Sequence, residues 1–509
     1  MSKLHIRGFR ASHYLRSVSI LLISLVLGAC AVDEEDTSPL FVRSVGTVLG
    51  LSGDPSTDRE LPDISDPKAQ LGMKLFFTKG LSGNQDTACV SCHHPVLGGS
   101  DQLSLPIGVN AEIPELLGPG RTHSEALAIA DNNSTYDGGP TVPRNSPTTF
   151  NSGLWDQVMF HDGRVESLDK LINQNGDPGE FGLGIVTPDS ETDDNDVQQA
   201  DPNAGSNLPT AQSRFPVTSP EEMRGFTFTT PGTNDEVRTA LETRLAANQN
   251  WIDEFTAVFG DSTVSYARIA EAIGEYERSQ VFVNTPWKAF MEGDDSAISE
   301  AARRGALLFM LPTRTGGASC LTCHRGDRFT DEQFHVLGMP QIGRGKGDGT
   351  TGTDDFGRFR VSGNDNDMYA FRTPSLLNIT ETGPWGHAGA YTTLEAVIRH
   401  HLDPQAAFDN YDISQLEASI VSSGQTDDMV VNTQNALDKL AANKLAGLSL
   451  LPTVSLTDAQ ISDLLAFLET LTDPCLKDRA CLAPWIPDAT VGDPDGLRLD
   501  AVDINGNPL

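Results

Sequence analysis

The segments Cys89-Val-Ser-Cys92-His93 and Cys320-Leu-Thr-Cys323-His324 repeat one grammar, C-x-x-C-H. In this arrangement two thiols can add across the vinyl groups of a haem while the adjacent histidine ligates its iron. The rival chemistry is zinc held by two thiolates and an imidazole, which requires a fourth ligand. Neither copy has a second C-x-x-C or an H-x-H within reach. The pattern therefore predicts two covalently bound c-type haems with His93 and His324 as proximal ligands. His94 turns away when its neighbour ligates.

The segments that must position these motifs are also duplicated. DPKAQLGMKLFF (66–77) precedes the first motif and SEAARRGALLFM (299–310) the second, both apolar at helical spacing with a glycine before the Leu/Phe cluster. Downstream, RNSPTTFNSGLWDQVMFHDGRVESL aligns with FRTPSLLNITETGPWGHAGAYTTL on its Ser/Thr-Pro pair and on His161-x-Gly163 against His387-x-Gly389. An internal repeat of this kind predicts a mainly α protein: two cytochrome c-like helical domains in tandem with long loops.

The repeat then breaks. In TTLEAVIRHHLDP, Thr392 with Glu395 predicts a capping box and a helix start. Leu394, Val397 and Ile398 form its apolar stripe, and His401 falls on that stripe while His400 stands about 100° away. His401 is thus the expected sixth ligand of the second haem, with Met339 and Met368 as rivals, since methionine serves many electron-transfer haems. Fourteen residues after His387 is His401; fourteen after His161 is Asn175. Between His94 and His161 the only histidine is His123, in a loop of small and polar residues. The first iron is expected to keep an open position that an oxidant can occupy, and the second to be closed.

Composition bounds the setting. Of 509 residues, 36 are Lys or Arg and 70 Asp or Glu, a net charge of −34, which argues against a nucleic-acid partner; such a balance mostly makes a solvated surface and also suits attraction of a basic partner protein. Lys3, Arg7, Arg10 and Arg16 precede an apolar run from Val18 to Leu27 that ends in LGAC. This predicts a signal peptide over 1–30 of the lipoprotein kind, with Cys30 lipidated, and hence a periplasmic protein whose only membrane contact is a lipid anchor. Cys475 and Cys481 are then left to pair as a disulfide pinning the tail.

Taken in order, LFFTKGLSGNQDTACVSCH, RNSPT, FHDGR, VTSPEEM, FRTPSLLNITETGPWGH and SLTDAQISDLLAFLETLTD resemble the bacterial di-haem cytochrome c peroxidase and MauG superfamily over residues 45–472. The resemblance implies an N-terminal peroxidatic haem domain (45–290) with an acidic insertion (187–209), a C-terminal electron-transfer haem domain (291–472) and a tail (473–509). It implies hydrogen peroxide as oxidant, with Glu222 as distal acid/base, Pro216 over the iron and Glu180 as the alternative acid. It implies calcium at the domain interface, held by Asn145 and the backbone oxygens of Thr382 and Pro384.

Departures from the family pattern matter as much. His401 stands where the peroxidases have methionine and MauG tyrosine. Val109 and Asn110 stand about where many peroxidases carry a histidine that blocks the resting iron. His161 replaces a tryptophan in FHDGR, and Ala318 stands where MauG has a tryptophan between its haems, which leaves Trp385 as an aromatic candidate for the electron route. Three uses follow: a peroxidase fed by a small cytochrome c or copper protein, a MauG-like oxidase modifying a tryptophan or tyrosine of a protein substrate, or a non-catalytic di-haem electron carrier.

Overall fold

In the computed structural model, which describes residues 37–124, 140–194, 197–226, 228 and 232–509, the elements that frame the motifs are mostly helices. In chain order they are α1 (Pro39–Val48), α2 (Pro67–Phe77), α3 (Leu208–Gln212), α4 (Tyr266–Arg278), α5 (Glu300–Met310), α6 (Leu394–Leu402), α7 (Met429–Leu445) and α8 (Asp458–Glu469). No described helix is long and apolar enough to cross a membrane. Pro67 at the first position starts α2. The hydroxyls of Ser265, Ser299 and Thr457 cap α4, α5 and α8 by accepting from the backbone amides of Arg268, Ala302 and Gln460.

Two glycines set the frame. A Cβ on Gly72 of α2 would lie 1.9 Å from the carbonyl oxygen of Ala272 in α4, and a Cβ on Gly305 of α5 would lie 1.9 Å from that of Asp463 in α8. Each glycine lets two helix backbones touch where any side chain would force them apart. Beyond each crossing the aromatic packing repeats. Phe76 lies against Tyr276 at 5.0 Å between ring centroids, and Phe309 against Phe467 at 5.2 Å. Phe76 and Phe309 each sit 6.4 Å from the histidine of their own motif. The same crossed helix pair thus backs both C-x-x-C-H turns.

The first and last described segments pack in opposite cores. Val42 and Val45 of α1, with Leu51, pack in the cluster of α5 and α8, whereas Leu499 and Ala501 pack in that of α2 and α4. Leu499 donates its amide to Phe77 O at 2.8 Å, and Trp251 donates its indole N–H to Asp495 at 2.8 Å. Cys475 and Cys481 are disulfide-bonded.

Around the cavity the halves diverge. After the first motif the chain forms a short antiparallel sheet, β1 (Val158–Met159), β2 (Val165–Ser167) and β3 (Ile185–Val186), with Val158 opposite Glu166 and Ser167 opposite Ile185. After the second, β4 (Phe334–Val336) pairs with β5 (Ala370–Arg372), and α6 follows. The acidic insertion is clamped at its base: Arg238 pairs with Asp189 at 2.5 Å, and Arg214 pairs with the buried Asp201.

One expected boundary shifts. Thr393, not Thr392, caps α6, its hydroxyl accepting from Ala396 N. Thr392 instead donates its amide and hydroxyl to Gln415 Oε1, and that contact moves the helix start by one residue.

Candidate functional site

Both motifs begin in a single 3-10 turn, Cys89–Ser91 and Cys320–Thr322, and both bring the following histidine to the same local partner, a backbone carbonyl. His93 Nδ1 lies 3.2 Å from Gly99 O and 3.2 Å from Ser146 Oγ, which itself donates to Cys92 O at 2.7 Å. His324 Nδ1 lies 2.9 Å from Phe329 O. A carbonyl on Nδ1 fixes the proton there and leaves Nε2 as the ligating nitrogen, the usual orientation of a metal-bound histidine. Burial lowers both imidazole pKa values to about 4, so each is neutral and ready to coordinate.

The four motif thiols are unbridged, and burial pushes Cys89 and Cys320 up to about 12. Among the described residues one cluster has metal-ligand composition, Cys323, Asp331 and His335, but His335 is already paired with Asp331 at 2.9 Å. The residues fit haem, not zinc. A cavity of about 570 Å³, within the range of cofactor sites, has both His93 and His324 in its wall.

Beside the second motif, His401 shares this wall, and its Nδ1 lies 2.8 Å from the carbonyl of Val397, one turn back, so its Nε2 is again the free nitrogen. Its neighbour is committed elsewhere: His400 is fully buried, with Nδ1 2.9 Å from the Tyr391 hydroxyl and Nε2 3.0 Å from Leu337 O. Met339 also lines the cavity, whereas Met368 packs beside Val336, Tyr369 and Leu440. Trp385 lines it with its indole N–H donated to Ile379 O at 3.1 Å, and Ala318 is part of the same wall.

The first motif has different company. Asn175, the counterpart of His401 in sequence, is structural: its Nδ2 donates to Trp155 O at 2.6 Å and Ser152 O at 3.0 Å. Glu222 lies in a turn of π-helix, Pro220–Arg224, capped by Ser219. Its backbone rests on Gly108, where a Cβ would meet Glu221 O and Glu222 O at 2.4 Å. Burial raises the Glu222 carboxyl above its usual range, while Arg164 and Lys346 pull against that shift. Neither Glu222 nor Pro216 lines the cavity that holds His93. Their link to the motif runs through Met223, whose Sδ is 3.9 Å from Cys89 Sγ, and through the Glu222 charge, which adds to burial in raising both thiols.

Glu180 is solvent-exposed and is set aside as the acid. Val109 is fully buried, its amide on Glu221 O at 3.4 Å; Asn110 donates its amide to Asp86 at 2.8 Å. His123 is buried, bridged to Ala111. Asn145, Thr382 and Pro384, the residues expected to hold calcium, all line the cavity. Asn145 Nδ2 donates to Leu103 O and Ser104 O, and its Oδ1 accepts from no described residue.

Three neighbours were missed in the sequence. Gln212, at the end of α3, and Glu277, in α4, line the cavity; Lys346 lies near Glu222 with its pKa lowered to about 8 by burial and by Arg144 and Arg164. Glu277 alone had a signal: Tyr276 packs under Gly72 as Phe467 does under Gly305, so Glu277 occupies the place of Leu468.

Comparison with known proteins agrees with this geometry. The family model described as di-haem cytochrome c peroxidase matches residues 66–296. The methylamine utilization protein MauG of Methylophilus methylotrophus is 27% identical over 335 residues, 66% of this chain and 72% of that protein. The cytochrome c551 peroxidase of Pseudomonas aeruginosa is 24% identical over 392 residues, covering 76% and 85%. In fold, the chain is similar to the crystal structure of a MauG-like protein associated with microbial copper homeostasis, with a TM-score of 0.52 at 21% identity, over 86% of this chain and 97% of that one.

Proposed function

Because this chain is a member of the bacterial di-haem cytochrome c peroxidase and MauG superfamily, and so a di-haem enzyme, we propose that it uses hydrogen peroxide at the haem of His93. His324 and His401 would together hold the second haem, which would supply a relay for oxidising equivalents. One observation carries the reading: α6 offers His401 on the cavity wall of the second motif, while the corresponding step of the first ends in Asn175, bound to backbone.

When bound, the haems supply irons that accept and relay oxidising equivalents; the side chains manage protons and orientation. Glu222 takes a proton from one peroxide oxygen onto its carboxylate and returns it to the departing oxygen, a service worth about 10²- to 10⁴-fold. Burial makes that carboxylate a better base, and Arg164 and Lys346 keep it ionisable. Arg144 fixes the surroundings, bound to Asp162 at 2.6 Å and to both oxygens of Asp355. Gly99 O and Phe329 O orient the proximal rings. Asn145 Oδ1, with the carbonyls of Thr382 and Pro384, would hold calcium between the sites, hard oxygen donors for a hard cation.

Export belongs to the same proposal. The signal segment and Cys30 lie outside the described residues, and the periplasm is the compartment that suits both the haem motifs and the Cys475–Cys481 disulfide. The physiological donor is then a small cytochrome c or copper protein.

The second use, oxidation of a partner protein's tryptophan or tyrosine, is favoured by one feature: Val109 and Asn110 offer no imidazole to block a resting iron. The two uses separate when peroxide is added to the oxidised holoprotein, followed by a reduced small cytochrome. Rapid oxidation of the cytochrome supports the peroxidase. A stable oxidised protein that ignores the cytochrome supports modification of a protein.

A further inference from the structure

Two carboxylates and a hydroxyl are buried where the loop after the first motif meets the chain that follows α6. Asp101 is 1% exposed and Ser104 is fully buried. Asp101 Oδ2, Ser104 Oγ and Glu417 Oε2 are all shut off from solvent, and none has a hydrogen-bond partner among the described residues. A buried oxygen left unpaired is costly, and a charged one more so.

Local contacts bring the three together. Ser104 donates its amide to Glu417 Oε1 at 3.1 Å, which sets the hydroxyl of the same residue beside that carboxylate. Asp101 Oδ1 accepts from Leu103 N at 3.1 Å. Asn145 Nδ2 fixes the turn between them, donating to Leu103 O at 2.9 Å and Ser104 O at 3.2 Å. Leu105 packs in one apolar cluster with Leu416 and Ile420, so the chain on each side of the carboxylates is held. His94 donates its amide to Ser100 O at 3.0 Å, which ties the loop to the first motif.

What the carboxylates lack is a cation. Arg121 acts on Asp101 from a distance, but gives its hydrogen bonds to the carbonyls of Ile107, Gly108, Pro114 and Leu116. Burial, with Glu417 adding to it, pushes the Asp101 carboxyl up to about 8. Buried carboxylates are paired or coordinate metals. The unpaired atoms here are all oxygens, with no free nitrogen or sulfur among them, which selects a hard cation over zinc or copper. A divalent charge balances the two carboxylates.

We propose that Asp101, Ser104 and Glu417 form a calcium site that staples the loop after the first motif to the chain following α6. It is separate from Asn145, Thr382 and Pro384: those three line the cavity, these three do not, and the two sets share no ligand. Asn145 touches Ser104 only through an amide N–H, which cannot ligate a cation. The inference is independent of the peroxide reading above.

The test uses the holoenzyme, stripped with EGTA and dialysed to equilibrium against calcium alone, with bound calcium counted by elemental analysis. Glu417→Gln keeps the size of the side chain and removes its charge, and should bind one calcium per chain fewer than the parent. Ser104→Ala should keep the ion but weaken it by about tenfold or more. Crystals of the parent grown with calcium should show an anomalous peak about 2.3–2.6 Å from oxygens of both Asp101 and Glu417. Equal counts in the parent and Glu417→Gln overturn the proposal, as does a calcium-grown crystal with no peak between these carboxylates. Should Glu417→Gln fail to fold, the parent crystal and the Ser104→Ala affinity decide.

Discussion

The two C-x-x-C-H motifs are built on one frame and furnished differently. Behind each lies the same crossed helix pair, closed over a glycine, with an aromatic ring 6.4 Å from the motif histidine. In front, the second motif meets an apolar helix presenting His401, while the first meets a clamped sheet, Gln212, Glu277 and the nearby Glu222 turn. The lesson is that covalent attachment needs only the frame, so the open faces are free to specialise. On the proposed reading, one half would hold the oxidant and the other would supply a closed centre.

The largest effect should come from the acid. Glu222→Gln should slow the reaction with peroxide by about 10²-fold or more, measured by stopped-flow absorbance, with attachment of both haems intact. Parental rates would remove Glu222 from the chemistry and leave the comparison resting on the ligands alone.

The shared frame can be broken symmetrically. Gly72→Ala and Gly305→Ala each drive a methyl into a carbonyl 1.9 Å away and should each cost about 3 kcal/mol by denaturant unfolding. Costs of similar size support a common frame; a large cost in one half and none in the other would contradict it.

Glu277 against Leu468 sharpens the contrast through pH. Burial raises the Glu277 carboxyl to about 8, so it stays protonated in the fold while the unfolded chain ionises from about pH 4.5. Stability is therefore fully present at low pH and is lost as pH rises towards about 8, by a few kcal/mol. Glu277→Gln should flatten that slope; an unaltered slope would show that Glu277 already ionises in the fold.

The smallest effect separates adjacent histidines. His400→Phe removes the partner of Tyr391 and Leu337 and should cost about 1–2 kcal/mol while leaving the haem spectrum alone. A changed spectrum would make His400, not His401, the ligand.

These contrasts also show what was legible in the sequence. The motifs, the flanking helices and the stripe placing His401 were readable because each is fixed by local spacing. So was the pairing of Cys475 with Cys481, which lie six residues apart. The cap of α6 was misplaced by one residue because Thr392 and Thr393 both satisfy the local pattern, and the contact that decides between them, Gln415, is distant in sequence. Gln212 and Lys346 reach the site from separate elements and carry no local signal. Glu180, the alternative to Glu222, lies in the loop between β2 and β3, and its exposure there was not readable from local spacing.

The central claim is that the two irons are unequal, and electron paramagnetic resonance of the resting, fully oxidised holoprotein tests it most directly. The account predicts one high-spin and one low-spin ferric haem in equal amounts, with His401→Ala converting the low-spin signal to high spin. Two low-spin haems in the parent protein would contradict it and leave a di-haem electron carrier.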